Sequence, residues 1–197
     1  MNDVSVLQDI ASENGGIITT KEAELHGISR AVLCNLNKSG AVERIAQGQY
    51  VLADSLHDEL LSISIRSPNL ILSHETALWL HGISDRTPFV HSVTAPSGRK
   101  PSQAIRDECK VYYIAPSLFE LGQTVLKTPA GNDVAAYDLE RTICDCVRSR
   151  EKMGSETFLA ALKAYAARSD KNLNLLYFYA EHLRVAAVLG KYLEVLV

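Results

Sequence analysis

Hydrophobic and polar positions along this chain follow a helical period at both ends and a mixed, partly alternating period between them. In residues 4 to about 14, Val6, Leu7 and Ile10 fall on one helical stripe, with Asp3 placed to cap and Asn14-Gly15-Gly16 to stop the helix. Thr19, followed three residues later by Glu22, has the form of a capping box, so a second short helix is expected to about His26. Gly27 supplies the permissive backbone of a turn, and Ser29 can accept the free amides that open a third helix over residues 30–39. In that helix Val32, Leu33 and Leu36 make the buried stripe, while Arg30, Ala31, Cys34, Asn35 and Lys38 lie around the outside. Gly40 closes it, and AVERIAQGQYVL follows as two short alternating runs about a Gln47-Gly48 turn.

Two short helices, a tight turn and a two-stranded wing are the layout of a winged helix-turn-helix that binds double-stranded DNA. Arg30 and Asn35 can each make paired hydrogen bonds to base edges, and Lys38 neutralises phosphate. Thr20, Lys21 and Ser29 are expected toward phosphate, and Arg44, Gln47 and Gln49 on the wing. The alternative for the same residues is a small helical bundle with a hairpin used for dimerisation. Charge lends that alternative some support, since residues 1–55 hold four Lys and Arg against seven Asp and Glu. The cations nevertheless sit at the helix start, the helix end and the wing, where phosphates lie in such complexes.

Beyond Asp54-Ser55, read as a joint, helical spacing returns over residues 56–66 through Leu56, Leu60 and Ile63, and Pro68 ends it. Residues 70–72 read as a short strand, followed by a helix capped by Ser73 and stopped at Gly82, then a strand over residues 89–95. Strands are also expected over residues 110–114 and 123–128, the latter ending at the turn Pro129-Ala130-Gly131-Asn132. From Val134 the pattern is helical to the end, with Asp138 or Asp170 and Asn172 as caps. The expected class is therefore α+β: a winged helix-turn-helix in residues 1–55, then a mixed α/β domain in residues 56–197 closed by a helical bundle.

With 197 residues, 47% apolar content and a net charge of −3, the chain is an ordinary globular protein and no coat-all nucleic-acid binder. No apolar run approaches the ~20 residues that span a bilayer, and the first ten residues lack a signal-peptide core, so no membrane partner and a cytoplasmic location are expected. Cys34, Cys109, Cys144 and Cys146 form no CxxC pair and are expected as reduced, structural thiols.

Chemistry in the second domain has one weak signature. Glu108-Cys109-Lys110 imitates the carboxylate-x-Lys half of a metal-dependent nuclease, with Asp85 the nearby acid that could complete it. His74 and His81 share a helix face but need ligands from another element to hold a metal, so they are expected to be structural. Asp138, Glu140, Arg141 and Asp145 can pair along a helix without chemistry. Arg99 and Lys100 could serve as secondary phosphate contacts or lie on a solvated surface. No cofactor motif and no catalytic triad signature is present.

The segments SHETALWLHGISDRTP, VTAPSGRKP, YDLERTICDCVRS and NLNLLYFYAEHLRVAAVLGKYLEVLV, after a winged helix, together resemble AbiEi, the antitoxin of type IV abortive-infection toxin-antitoxin systems of bacteria. The resemblance spans nearly the whole chain. It implies a non-enzymatic, two-part protein whose winged helix binds inverted repeats in its own promoter, with a possible dimer or cooperative binding there. It also implies that the C-terminal domain opposes AbiEii, a nucleotidyltransferase-like toxin, without a stable complex. The alternative is a winged-helix-targeted nuclease using Glu108 and Lys110; a ligand-sensing second domain is a third reading.

Overall fold

The structure, a computed structural model, describes residues 3–53 and 55–196, so Asp54 of the expected joint lies outside the described residues. The chain forms two compact units, one running through Arg66 and taking in Thr128–Asn132, the other built from Ser67–Lys127 and the residues from Asp133 onward.

The first unit contains α1 (Asp3–Glu13), β1 (Ile18–Thr19), α2 (Thr20–Leu25), α3 (Arg30–Lys38), β2 (Val42–Ala46), β3 (Gln49–Leu52) and α4 (Glu59–Arg66). Leu7, Ile10 and Ala11 of α1 pack with Ile18, Ala23, Ile28, Leu33 and Val42 in one core. Each large aliphatic side chain so buried contributes about 1.5–3 kcal/mol, enough to hold helices too short to persist alone. The expected two-stranded wing is a three-stranded antiparallel sheet in the order β1-β3-β2, because Ile18 and Thr19 pair with Tyr50 and Gln49.

The helix expected from residue 56 starts later. Asp58 Oδ1 accepts the amides of Leu60 and Leu61, both at 3.1 Å, which sets the start of α4 and leaves Leu56 fully exposed. The other Asp58 oxygen accepts from the Thr128 hydroxyl and, at 2.9 Å, from Asn132 Nδ2, which fastens the 128–132 turn to this unit. The unit therefore extends beyond residue 55.

The second unit contains β4 (Ile71–Leu72), α5 (His74–Leu80), β5 (His91–Pro96), α6 (Gln103–Glu108), β6 (Cys109–Ile114), β7 (Gln123–Lys127), β8 (Asp133–Tyr137), α7 (Leu139–Arg148), α8 (Ser155–Ala167), α9 (Leu173–His182) and α10 (Ala186–Leu196). Its sheet runs β6-β5-β4-β8-β7, with β4–β8 and β5–β6 parallel and the other two pairings antiparallel. Residues 134–137, expected as helix, form β8 between β4 and β7; a strand buried on both faces reads as a continuous apolar run rather than as alternation. Ser73 stands at the start of α5 but does not cap it: its hydroxyl accepts from Thr94 Oγ1 at 2.8 Å and lies 3.0 Å from His74 Nδ1.

Nine of the ten residues of α7 are buried, including Glu140, Arg141 and Asp145. Its charges are a buried hub and not a surface helix start. Asp138 caps the helix by accepting the Arg141 amide at 2.8 Å and also accepts from Tyr179 OH at 2.7 Å, while Glu140 accepts the Asn172 amide at 2.8 Å. Arg141 pairs with Asp145 at 3.0 Å, donates to the carbonyls of Leu118 and Leu121, and lies 4.1 Å over the Tyr137 ring. The helix thus ties the loop before β7 to α9. Burial pushes the Asp145 carboxyl up to about 6 against the opposing charge of Arg141.

Candidate nucleic-acid interface

The candidate surface is built by caps. Thr19 Oγ1 accepts the Glu22 amide at 3.2 Å and the Glu22 carboxylate answers the Thr19 amide, closing the capping box on α2. Gly27 turns the chain with φ +83, a conformation other residues adopt only with strain, and the Ser29 hydroxyl accepts the Val32 amide to open α3. Since that hydroxyl is an acceptor here, its own proton is free to donate outward.

Leu33 alone among α3 side chains is fully buried, with Val32 and Leu36 packed partly against the same core. Arg30, Cys34, Asn35 and Lys38 are exposed as the helical stripe requires, and Lys21 is exposed in the first turn of α2. The wing is anchored to this helix by Asn37, whose Oδ1 accepts the Arg44 amide at 3.0 Å. Arg44 folds its Nε back on the Ala46 carbonyl at 3.3 Å, across the bulge where the β2–β3 register shifts. Gly48 takes φ +73 at the wing tip, and Gln47 beside it is exposed.

Two expected contacts change role. Gln49 is only 2% exposed: it faces inward on β3 with Val51, its Oε1 accepting from Ser62 Oγ at 2.6 Å and its Nε2 donating to the Ser62 carbonyl at 3.3 Å. Strand alternation places Gln49 on the core face, so it locks β3 to α4 and does not reach a ligand. Thr20 is half-buried, with its single hydroxyl proton given to the Gly48 carbonyl at 3.3 Å and its amide to the same oxygen at 2.9 Å. It braces the wing tip against α2 and has no proton left for a phosphate oxygen.

The chain pattern also missed partners. Glu24 holds Arg30 Nε at 2.8 Å, and Asn37, read only as part of the helix, positions the wing. The Glu24 link crosses the turn between helices, where no periodicity applies. Arg99 and Lys100 are exposed in the loop after β5 and belong to the second unit.

The nuclease half-site is not assembled. Glu108 ends α6 and is exposed, Asp85 is exposed in a loop, and Lys110 pairs with Glu75 at 2.8 Å and donates to the Lys152 carbonyl at 2.8 Å. A helix end at Glu108 breaks the strand geometry that a carboxylate-x-Lys pair needs. Among the described residues, no three His, Cys, Asp or Glu side chains are grouped to hold a metal ion. His74 Nε2 lies 3.0 Å from Ser149 Oγ, whereas His81 Nε2 meets the Tyr137 carbonyl at 2.9 Å, so the two rings serve different partners. Cys34 is exposed and the other three cysteines are buried, with burial raising the thiols of Cys144 and Cys146. No helix among the described residues is long and apolar enough to cross a membrane.

Residues 5–53 match the model of a family described as a transcriptional regulator, AbiEi antitoxin, which bears out the resemblance over the winged helix and supports a regulator and antitoxin role. The chain is also similar in fold to the crystal structure of the RV2827C protein from Mycobacterium tuberculosis, at a TM-score of 0.71 and 15% identity, with 95% of this chain and 75% of that chain covered. Identity that low carries the fold alone. No curated protein matches the chain.

Proposed function

We propose that this chain is a bacterial antitoxin and transcriptional autorepressor, reading inverted repeats in its own promoter with Arg30, Asn35 and Lys38. Ser29 and Lys21 hold phosphate, and Arg44 and Gln47 follow the backbone from the wing; Arg99 and Lys100 are candidate secondary contacts. The observation that carries this reading is the joint exposure of Arg30, Asn35 and Lys38 on a helix braced to a wing, inside the segment that matches the regulator family. With more acids than bases in residues 1–55, one copy has little non-specific hold, and binding as a pair on two half-sites supplies the affinity.

Footprinting of the DNA upstream of the gene with full-length protein tests the reading. Two protected, inverted half-sites are expected, separated by about one or more helical turns of 10–10.5 bp. Protection no stronger than on unrelated DNA would remove it. The C-terminal unit opposes an AbiEii-like toxin without forming a stable complex. Co-expression with the neighbouring toxin gene should restore growth equally for the wild-type chain and for Arg30→Ala/Lys38→Ala, since neutralisation is separate from repression. No rescue by either chain would end the antitoxin reading.

A further inference from the structure

The second unit carries a cleft of about 360 Å³ that the DNA-reading surface does not explain, lined by Glu75 and Lys110 together with Arg86, Pro88, Phe89 and Thr157. Its size lies within the range of small-molecule sites. Three features of it are chemically specific.

The floor is an ion pair with spare hydrogen-bonding capacity. Lys110 Nζ has three protons and gives two, to Glu75 Oε1 and the Lys152 carbonyl, both at 2.8 Å. The Glu75 carboxylate can accept about four hydrogen bonds. It takes three, from Lys110, from Ser92 Oγ at 2.9 Å and from Tyr112 OH at 3.4 Å. Counted over the hydrogen bonds of the described residues, the pair keeps one Lys110 proton, on the side of Tyr112, and one Glu75 acceptor position. That pair complements the edge of a nucleobase, which presents a donor and an acceptor on adjacent atoms.

The lip is aromatic. Phe89 is fully exposed at 105% and Val90 is 45% exposed, so the phenyl ring contributes nothing to the core and offers a free face beside the cleft. A flat, polar-edged ring is the occupant that uses both the phenyl face and the donor-acceptor floor. The rim is cationic. The Arg86 guanidinium is exposed and makes no hydrogen bond or ion pair among the described residues, while the Arg86 backbone is fixed to Ser84 Oγ through its amide at 3.3 Å and its carbonyl at 3.1 Å. A free guanidinium on a pinned loop suits a phosphate.

We propose that this cleft binds a nucleoside 5′-monophosphate, its base edge on Glu75 and Lys110, its ring against Phe89 and its phosphate on Arg86. The same chemistry is offered by a free nucleotide and by the 5′-phosphorylated end of a strand.

Calorimetric titration of full-length protein with each of the four ribonucleoside monophosphates, their nucleosides, inorganic phosphate and a 5′-phosphorylated RNA tetramer tests it. At least one monophosphate is expected to bind with Kd below about 1 mM, a level a site of this size reaches with a few good contacts. Phe89→Ala should weaken it by about 5-fold or more, the loss of one stacked base. Arg86→Ala should reduce the monophosphate to the affinity of its nucleoside and leave the nucleoside unchanged. Both side chains are exposed, so unchanged melting temperatures should accompany the weaker binding. Tighter binding of the tetramer than of the monomer assigns the site to a strand end, and the reverse order to a free nucleotide; either supports the cleft. No binding by any nucleotide, affinity indifferent to both substitutions, or phosphate binding as tightly as nucleotides would overturn the proposal.

Discussion

The guanidinium of Arg30 stands 2.8 Å from the carboxylate of Glu24, with the two side chains 78% and 44% exposed. The first cation of α3 is therefore shared with an acid across the turn. A pair this exposed is worth little, about 0–1 kcal/mol, so phosphate or a base edge can displace it at small cost. Removing the acid frees Arg30 and deletes a negative charge from the side proposed to face DNA. Glu24→Gln should tighten operator binding by about 2- to 10-fold in fluorescence anisotropy at moderate salt. A weaker complex would show that Glu24 orients Arg30 and does not compete for it.

Gln49 and Gln47 are two residues apart and should behave oppositely. Gln49→Ala strands the buried Ser62 hydroxyl and should cost about 1–3 kcal/mol in urea unfolding. Gln47→Ala at the exposed wing tip should change stability by less than about 0.5 kcal/mol and act on DNA affinity instead. The reverse pattern would place Gln49 at the ligand and refute the inward facing of β3.

That contrast also marks what the chain pattern carries. Caps are local, so Thr19 with Glu22 and Ser29 with Val32 are legible as sequence offsets, and with them α3 and its outward residues. Pairing is not local. Gln49 alternates correctly but is polar, and only its Ser62 partner, thirteen residues on, makes an inward amide favourable. Residues 134–137 mislead for a different reason: two alanines suit a helix by propensity, and only placement between β4 and β7 makes them strand. The Lys110–Glu75 pair joins positions 35 residues apart, so Glu108, two positions from Lys110, looks like the natural partner in the sequence.

Arg141 and Asp145 are a buried pair whose Arg141 Nη2 has no hydrogen-bond partner among the described residues, so the pair is maintained at a cost. Asp145→Ala leaves the guanidinium buried without its counter-charge and should destabilise the protein by about 3–5 kcal/mol. Arg141→Met with Asp145→Leu should recover most of that stability, because the desolvation disappears with the charges. Chemical denaturation checks both. A double variant no better than Asp145→Ala would mean that the carbonyls of Leu118 and Leu121 depend on the guanidinium.

His74 is stacked on Tyr112 at 3.4 Å, and burial, followed by the charges of Lys110, Arg141, Arg148 and Lys152, holds its ring neutral well below the ordinary histidine range. The unfolded chain takes up a proton near pH 6.5 that the fold refuses, so this contribution is present above that pH and disappears as pH falls. Between pH 7.5 and 5.5 the wild type should lose about 1.4 kcal/mol more stability than His74→Gln. Asp145, raised to about 6, favours the fold over the same descent, but it is present in both proteins and cancels in the difference. Parallel stability curves would show that the buried ring is protonated.

Whether α3 reads DNA is decided by the salt dependence of operator binding. Anisotropy titrations of the wild type and of Arg30→Ala/Lys38→Ala across a range of salt give affinity and slope together. The double substitution should weaken operator binding by about 10-fold or more and lower the slope of log K against log salt by about one for each phosphate that the two side chains neutralise. Unchanged affinity and slope, with the fold intact, would contradict the placement of α3 in the groove.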